Sequence, residues 1–256
     1  MIIVPKEHFN IIKEKIVQGP TFVFSVLDYF IKGTVYADST NYKLLLIKTD
    51  SGLYYVTGQS SDGLFLKNLV RKFEESINQE KWFTLFSPDL TWNQSIEKHL
   101  DKKVRKIQRY TFSFDLVTYK NRIRSDNSEY DVTKIDQYLI ENCLEFDKKY
   151  YNEYWGSTDN FLQKGFGFCV KDKEKIISEG VSIFRSKNYA EVDIITDSNY
   201  RGIELASIVA EHFLDYCLSH NIQPRWDCDV DNNASINLGS KLGFNNPQKY
   251  AAYIRI

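Results

Sequence analysis

Paired cysteines, a targeting segment and an excess of either charge are all missing from this chain. The four cysteines, Cys143, Cys169, Cys217 and Cys228, form no CxxC pair. Scattered single thiols argue for a reducing compartment and against a zinc site or disulfide framework. The N-terminal MIIVPKEHFN is broken by Pro5 and charged from Lys6, which is not the pattern of a signal peptide. No apolar run approaches the roughly 20 residues that span a bilayer. Lys plus Arg total 33 against 34 acidic residues, so no global field recruits nucleic acid or an anionic membrane. The expectation is a soluble, cytoplasmic protein with no nucleic-acid or membrane partner.

What is present is a large apolar and aromatic fraction. Hydrophobic residues make up 43% of 256 residues, enough for a real core, and the length suits two small domains. The first half alternates helix-like and strand-like runs. Residues 6–17 carry Phe9, Ile12 and Ile16 at helical spacing. TFVFSV (21–26), GTVYAD (33–38), KLLLIKT (43–49) and LYYVTG (53–58) read as strands, the last two joined by a turn at 50–52. Residues 64–77 have a helical apolar face, 82–86 read as a strand, 89–100 as a helix and 107–118 as a strand. The polar stretch NRIRSDNSE (121–129) suggests a boundary, giving domains 1–124 and 125–256.

The second half predicts a helix over 133–145, then strands 167–171, 175–184 and 190–196. A long helix over 202–219 follows, then a strand near 224–229, a helix over 232–242 and a final strand over 249–256. Both halves therefore show strands, turn-helix, strand, helix, strand, with GQSSDG (58–63) as the first half's turn. Two copies of one fold and a chance echo within a generic α+β order both account for this.

The junction at 196–207, TDSNYRGIELAS, carries the first chemical signal. A Gly-containing turn feeding a helix N-terminus offers unpaired N–H groups and partial positive charge, an anion seat. Glu204 stands where the anion would lie; as a first-turn residue it needs no positive φ, and its carboxylate can turn to solvent or pair with Arg201. Taken with RWDCD (225–229) and DNNASINLGSKLGF (231–244), this resembles the GNAT superfamily of acyl-CoA-dependent N-acetyltransferases. There the turn reads Q/R-x-x-G-x-G/A and the later helix N-x-x-A-x-x-L-Y-x-K-x-G-F. More narrowly, T-D-x-x-Y-R-G-x-x-L-A and FLQKGFGFCV (161–170) look like the zwittermicin A resistance type. Three positions depart: Asn199 opens the turn motif, Glu204 replaces its second small residue, and Gly239 replaces the Tyr that protonates the leaving thiolate in many relatives.

The resemblance implies an α+β fold, a mixed twisted sheet flanked by helices in the C-terminal half. A smaller α/β domain precedes it, read as a degenerate second copy or as unrelated. It implies acetyl-CoA as co-substrate, a small-molecule amine as acceptor, no metal, and a monomer or homodimer. CoA would lie along Ile194, Ile195 and Thr196, over Arg201, Gly202, Ile203, Glu204, Leu205 and Ala206, and beside Asn232 and Ser235. The N–H of Ile194 or Ile195 would stabilise the developing oxyanion. Glu191 and Asp193 point to one face of their strand and are the candidate general bases, Glu191 preferred from its match to the family. Asp227, Asp229 and Asp231 have the alternate spacing of a calcium loop. Asn232 and Leu238 stand where its Gly and bidentate carboxylate belong, so a strand end and an Asx helix cap are expected instead. Trp226 and Trp155 read as core. A reading from another class stays open: a non-catalytic acyl-CoA-binding or interaction domain with a degraded site.

Overall fold

The computed structural model describes residues 1–58, 63–124 and 130–256. It forms two compact units, Met1–Tyr110 with Lys249–Ile256, and Thr111–Gln248. The sequence suggests a boundary at 124/125. The polar stretch that motivates it runs into 125–129, which lie outside the described residues, as does most of the turn at 58–63.

The first unit contains β1 (Ile2–Ile3), α1 (Phe9–Lys15), α2 (Thr21–Leu27), β2 (Gly33–Ala37), β3 (Leu44–Thr49), β4 (Leu53–Gly58), α3 (Gly63–Asn78), β5 (Thr84–Ser87) and α4 (Leu90–Leu100). It continues into β6 (Val104–Phe114). TFVFSV is helix α2, not the expected strand, and every one of its residues is buried. A short, mostly apolar run has too little polar alternation to separate a buried strand from a buried helix. Strands β1 to β4 pair antiparallel in order, β4 pairs parallel with β5, and the chain's last strand pairs antiparallel with β5. Thus Ala251, Ala252 and Tyr253, opposite Ser87, Phe86 and Leu85, complete this unit's sheet. Tyr54, Phe65, Phe73, Phe83, Trp92 and Tyr253 fill its core.

The second unit begins within β6. Its elements are α5 (Leu116–Asn121), β7 (Val132–Lys134), α6 (Gln137–Glu141), α7 (Lys148–Trp155), α8 (Thr158–Lys164), β8 (Gly167–Asp172), β9 (Lys175–Arg185) and β10 (Tyr189–Thr196). Then come α9 (Leu205–Ser219), β11 (Gln223–Arg225), β12 (Asp227–Asp229), α10 (Asn233–Lys241) and β13 (Phe244–Arg255). The strand expected over 107–118 stops at Phe114, because Asp115 accepts the N–H groups of Val117 and Thr118 and starts α5. Tyr119 on α5 bonds Glu211 O and Asp215 of α9, which ties residues beyond 110 to this unit.

The helix expected over 133–145 is instead β7 and the short α6. Asp136 caps α6, Asp147 caps α7 and Ser157 caps α8, each accepting an N–H of its own first turn. These caps divide a stretch that apolar periodicity alone runs together. Strands β11-β10-β9-β8-β7 form one mixed sheet, with only β10–β11 parallel. Leu205, Ile208, Val209 and Phe213 of α9 are buried against it, and Tyr216 is half-buried beside Phe166. Trp226 breaks the strand expected over 224–229 into β11 and β12, and β13 starts at Phe244 rather than 249. Trp155 and Trp226 are core residues, as expected. No helix among the described residues is long and apolar enough to cross a membrane.

Candidate functional site

The β10–β11 ladder is short. It pairs Tyr189, Ala190 and Glu191 with Gln223, Pro224 and Arg225, then stops, while β10 runs on to Thr196. The two strands diverge where the chain turns at buried Trp226. On the other side β10 stays paired with β9 along its length, apart from one bulge opposite Glu191/Val192. Asp197 donates its N–H to Ile177 O, so by ladder alternation the N–H groups of Ile195 and Asp193 also point at β9. That of Ile194 points to the edge where β11 has departed.

The two faces of β10 differ. Ala190, Val192 and Ile194 pack against α9. Glu191 and Asp193 lie on the opposite face, both half-buried. There Asp193 Oδ2 accepts the Tyr150 hydroxyl of α7 at 2.9 Å. Burial, with the Asp193 charge beside it, pushes the Tyr150 phenol well above its ordinary range. Tyr154 and Phe184 continue this aromatic face, with ring centroids 5.8 Å apart. Tyr150 was not among the sequence candidates. Its signal lay in the missed cap Asp147, which places α7 and hence this ring.

The turn after β10 is built by the motif residues themselves. Asp197 accepts from Asn199 N at 2.9 Å and pairs with Lys175 at 2.5 Å. The Lys175 hydrogen bond holds the Asp197 carboxyl below its ordinary range. Tyr200 donates to Asp172 at 2.7 Å, and Arg201 Nε donates to Thr196 O at 3.3 Å. The turn is thereby pinned to the β8–β9 hairpin. Gly202 takes φ +83° with open space around its missing Cβ, and Glu204 takes φ +67°. Helix α9 therefore begins at Leu205, not 202. Sequence reasoning treats Glu204 as a first-turn residue with ordinary helical φ, turned to solvent or paired with Arg201. It is instead left-handed, and its carboxylate pairs with Lys241 of α10. Ile203 and Glu204 are exposed, while the Leu205 side chain is buried, so Leu205 presents only backbone here. Ala206 is half-buried.

Asn232 and Ser235 are brought together by α10. Asn232 Oδ1 caps the helix on Ser235 N at 3.0 Å, and Ser235 Oγ accepts Trp226 Nε1 at 3.0 Å. The cap is thus Asn232. No group of three or more His, Cys, Asp or Glu suited to a metal occurs among the described residues. Gly239, the position of the absent Tyr, faces the Trp226 indole: a Cβ there would lie 3.0 Å from Nε1. Trp226 occupies the space a side chain would need.

The residues fit acetyl-CoA. An unpaired strand edge suits the pantetheine amides, and a pinned turn leads to a helix N-terminus with a glycine where no side chain intrudes. A GNAT acetyltransferase family model matches residues 11–253. The chain is 38% identical over 235 residues to the uncharacterized N-acetyltransferase YdfB of Bacillus subtilis (strain 168), covering 91% of this chain and 90% of that protein. Its fold is similar to that of a GCN5-related N-acetyltransferase-like protein from Streptococcus suis 89/1591 (TM-score 0.73, 23% identity, 98% and 99% of the two chains covered). It is also similar to a tandem GNAT protein from the clavulanic acid biosynthesis pathway (TM-score 0.61, 11% identity, 97% and 92% covered). The element order of the first unit, repeated in the second, agrees with such a tandem arrangement. The chain belongs to the GNAT acetyltransferase family.

Proposed function

We propose that the protein transfers the acetyl group of acetyl-CoA directly to a primary amine of a small molecule, with Glu191 as general base. The observation that carries this reading is the end of the β10–β11 ladder at Glu191. There one strand offers an unpaired edge for the thioester and, on its other face, carboxylates for the amine. The neutral amine attacks the thioester carbonyl, a C–N bond forms, the C–S bond breaks, CoA leaves as thiolate, and the surplus proton on nitrogen passes to that thiolate or to water. The Ile194 N–H, directed to the open edge, stabilises the carbonyl oxygen as charge develops. Glu191 takes the proton that the ammonium must shed, directly or through water. A thiol pKa near 8.5 lets the thiolate leave without the Tyr that Gly239 replaces. The likeness of T-D-x-x-Y-R-G to the zwittermicin A resistance type supports a small, soluble acceptor.

The test is thiol release from acetyl-CoA with a panel of primary amines such as tyramine, spermidine and glucosamine. Glu191→Gln is expected to lower the rate by roughly 10²–10⁴ while CoA binding stays unchanged. An unaltered pH–rate profile in that variant transfers the base role to Asp193, tested by Asp193→Asn. A silent panel together with no CoA binding at millimolar concentration would favour the interaction-domain reading.

A further inference from the structure

Glu179 is a carboxylate that the chemistry above does not use. It sits on β9 opposite Ile195 of β10 and is 1% exposed. Among the described residues no cation is paired with it. Its Oε1 accepts the N–H groups of Glu145 at 2.7 Å and Phe146 at 2.9 Å, and the Leu144 N–H also bonds the carboxylate. Burial pushes its pKa up, and these amides pull against that. A buried carboxylate is costly even when amides solvate it, and an apolar residue would pack on a sheet at less cost. Among the described residues, what the carboxylate holds is the main chain of the segment between α6 and α7.

That segment leads to the amine side of the site by short steps. The Phe146 ring, itself buried, lies 4.7 Å from the Tyr150 ring. Asp147 accepts Tyr150 N at 2.9 Å and so starts α7 at a fixed place. Tyr150 then donates to Asp193. We propose that Glu179 is a positioning residue for the amine side of the site, acting through residues 144–147 on the Tyr150–Asp193 hydrogen bond. The inference rests on the amine-acetylation reading. It concerns the amine and not CoA, because the turn before α9 hangs on Asp172 and Lys175 instead.

A double-mutant cycle of Glu179→Gln and Tyr150→Phe tests it, since both changes nearly preserve shape. Acetyl-CoA and the best amine of the panel are the substrates, and hydrogen exchange follows amides 144–146. Glutamine can keep an oxygen at the Oε1 place for the Glu145 and Phe146 N–H groups, but it loses the charge that strengthens both bonds and puts an NH₂ in place of the second oxygen. Glu179→Gln is expected to raise the amine KM about tenfold, with the acetyl-CoA KM changed less than about twofold. It should quicken exchange at 144–146 and shift the Tyr150 ¹³Cζ resonance. In the Tyr150→Phe background the same change should leave the amine KM within about twofold. Equal rises in both KM values, or the same amine penalty in both backgrounds, overturn the inference. If the wild type acetylates no amine of the panel, the proposed function fails separately. Exchange and the Tyr150 resonance then decide, and leaving both unmoved overturns the positioning role.

Discussion

Two helix starts, one in each unit, show how the same frame is used differently. In the first unit Asp89 caps α4 by accepting Trp92 N; in the second, Asn232 caps α10 by accepting Ser235 N. Helix α4 follows β5, which pairs parallel with β4, and α10 follows β11 and β12, of which β11 pairs parallel with β10; both parallel ladders end early, at Tyr55↔Phe86 and at Glu191↔Arg225. The third helical position then decides the outcome. Trp92 is fully buried and its Nε1 donates to Gly58 O, at the far end of β4, with an N···O distance of 2.7 Å. The indole fills the divergence between β4 and β5. At the matching place in the second unit stands a serine, and the end of β10 is left to its own edge. The connection to the following helix differs as well, residues 59–62 against 197–204. In the first unit this place is taken up by core, while the second keeps the open strand edge and the turn that the proposed chemistry uses.

Each unit also depends on residues distant in sequence. Deleting 249–256 is expected to have the largest effect, because it strips Ala251, Ala252 and Tyr253 from the first unit. Tyr253 is 1% exposed and donates to Glu97 at 2.8 Å. Burial of one such ring contributes about 1.5–3 kcal/mol, and the β5 ladder is lost with it. Against a net stability of about 5–15 kcal/mol this should abolish the cooperative melt of the first unit. Circular dichroism and limited proteolysis would follow it. A truncated chain that melts like the full one would break the claim that this strand completes the unit.

Trp92→Ala should come next. Emptying a fully buried tryptophan costs about 3–5 kcal/mol. Since the first unit allots only residues 59–62 to the connection that spans 197–204 in the second, CoA stoichiometry should stay at one per chain in both proteins. Calorimetry and a denaturant midpoint check the two halves of this expectation. A second CoA equivalent in the wild type would break the comparison outright.

Much of this contrast was legible in the sequence, and the failures share a cause. Apart from 202–204, which precede the helix and do not open it, the motif residues at 196–207 and 231–242 sit on the elements expected, because strand alternation, a polar turn and a helical stripe are local signals. The helix α2 was misread because a short run dominated by apolar residues carries too little period to decide. Helices α7 and α8 were missed because their evidence is in caps, not periodicity. Tyr150 and Glu179 were invisible since their roles come from β9, β10 and α7 meeting in space. Trp92 read as one more helix residue, and its reach to Gly58 is a tertiary fact.

Glu204 offers the finest test of what keeps the second unit competent, and the smallest expected effect. From sequence alone, Glu204→Gly should tighten CoA and slightly loosen the helix start. The second half reverses once φ is known. A non-glycine residue in the left-handed region costs about 1–2 kcal/mol, which glycine does not incur. The exposed ion pair with Lys241 returns no more than about 1 kcal/mol. The substitution should therefore leave stability unchanged or raise it by about 1 kcal/mol. Its effect on CoA combines two terms. Removing one negative charge several Å from a diphosphate gains about 1 kcal/mol at a water-like dielectric and more in a drier setting. It also releases Lys241, whose ammonium becomes available to the incoming phosphates. Together these predict at least about tenfold tighter CoA binding, steeper in salt than that of the wild type. Lys241→Met separates the terms: alone it should weaken CoA little, because Glu204 holds that cation in the free protein, but in the Glu204→Gly background it should remove part of the gain. Calorimetry at two ionic strengths reads all four proteins. Equal CoA affinity in wild type and Glu204→Gly would place the carboxylate away from the diphosphate and leave its left-handed backbone as the only consequence of the departure from glycine.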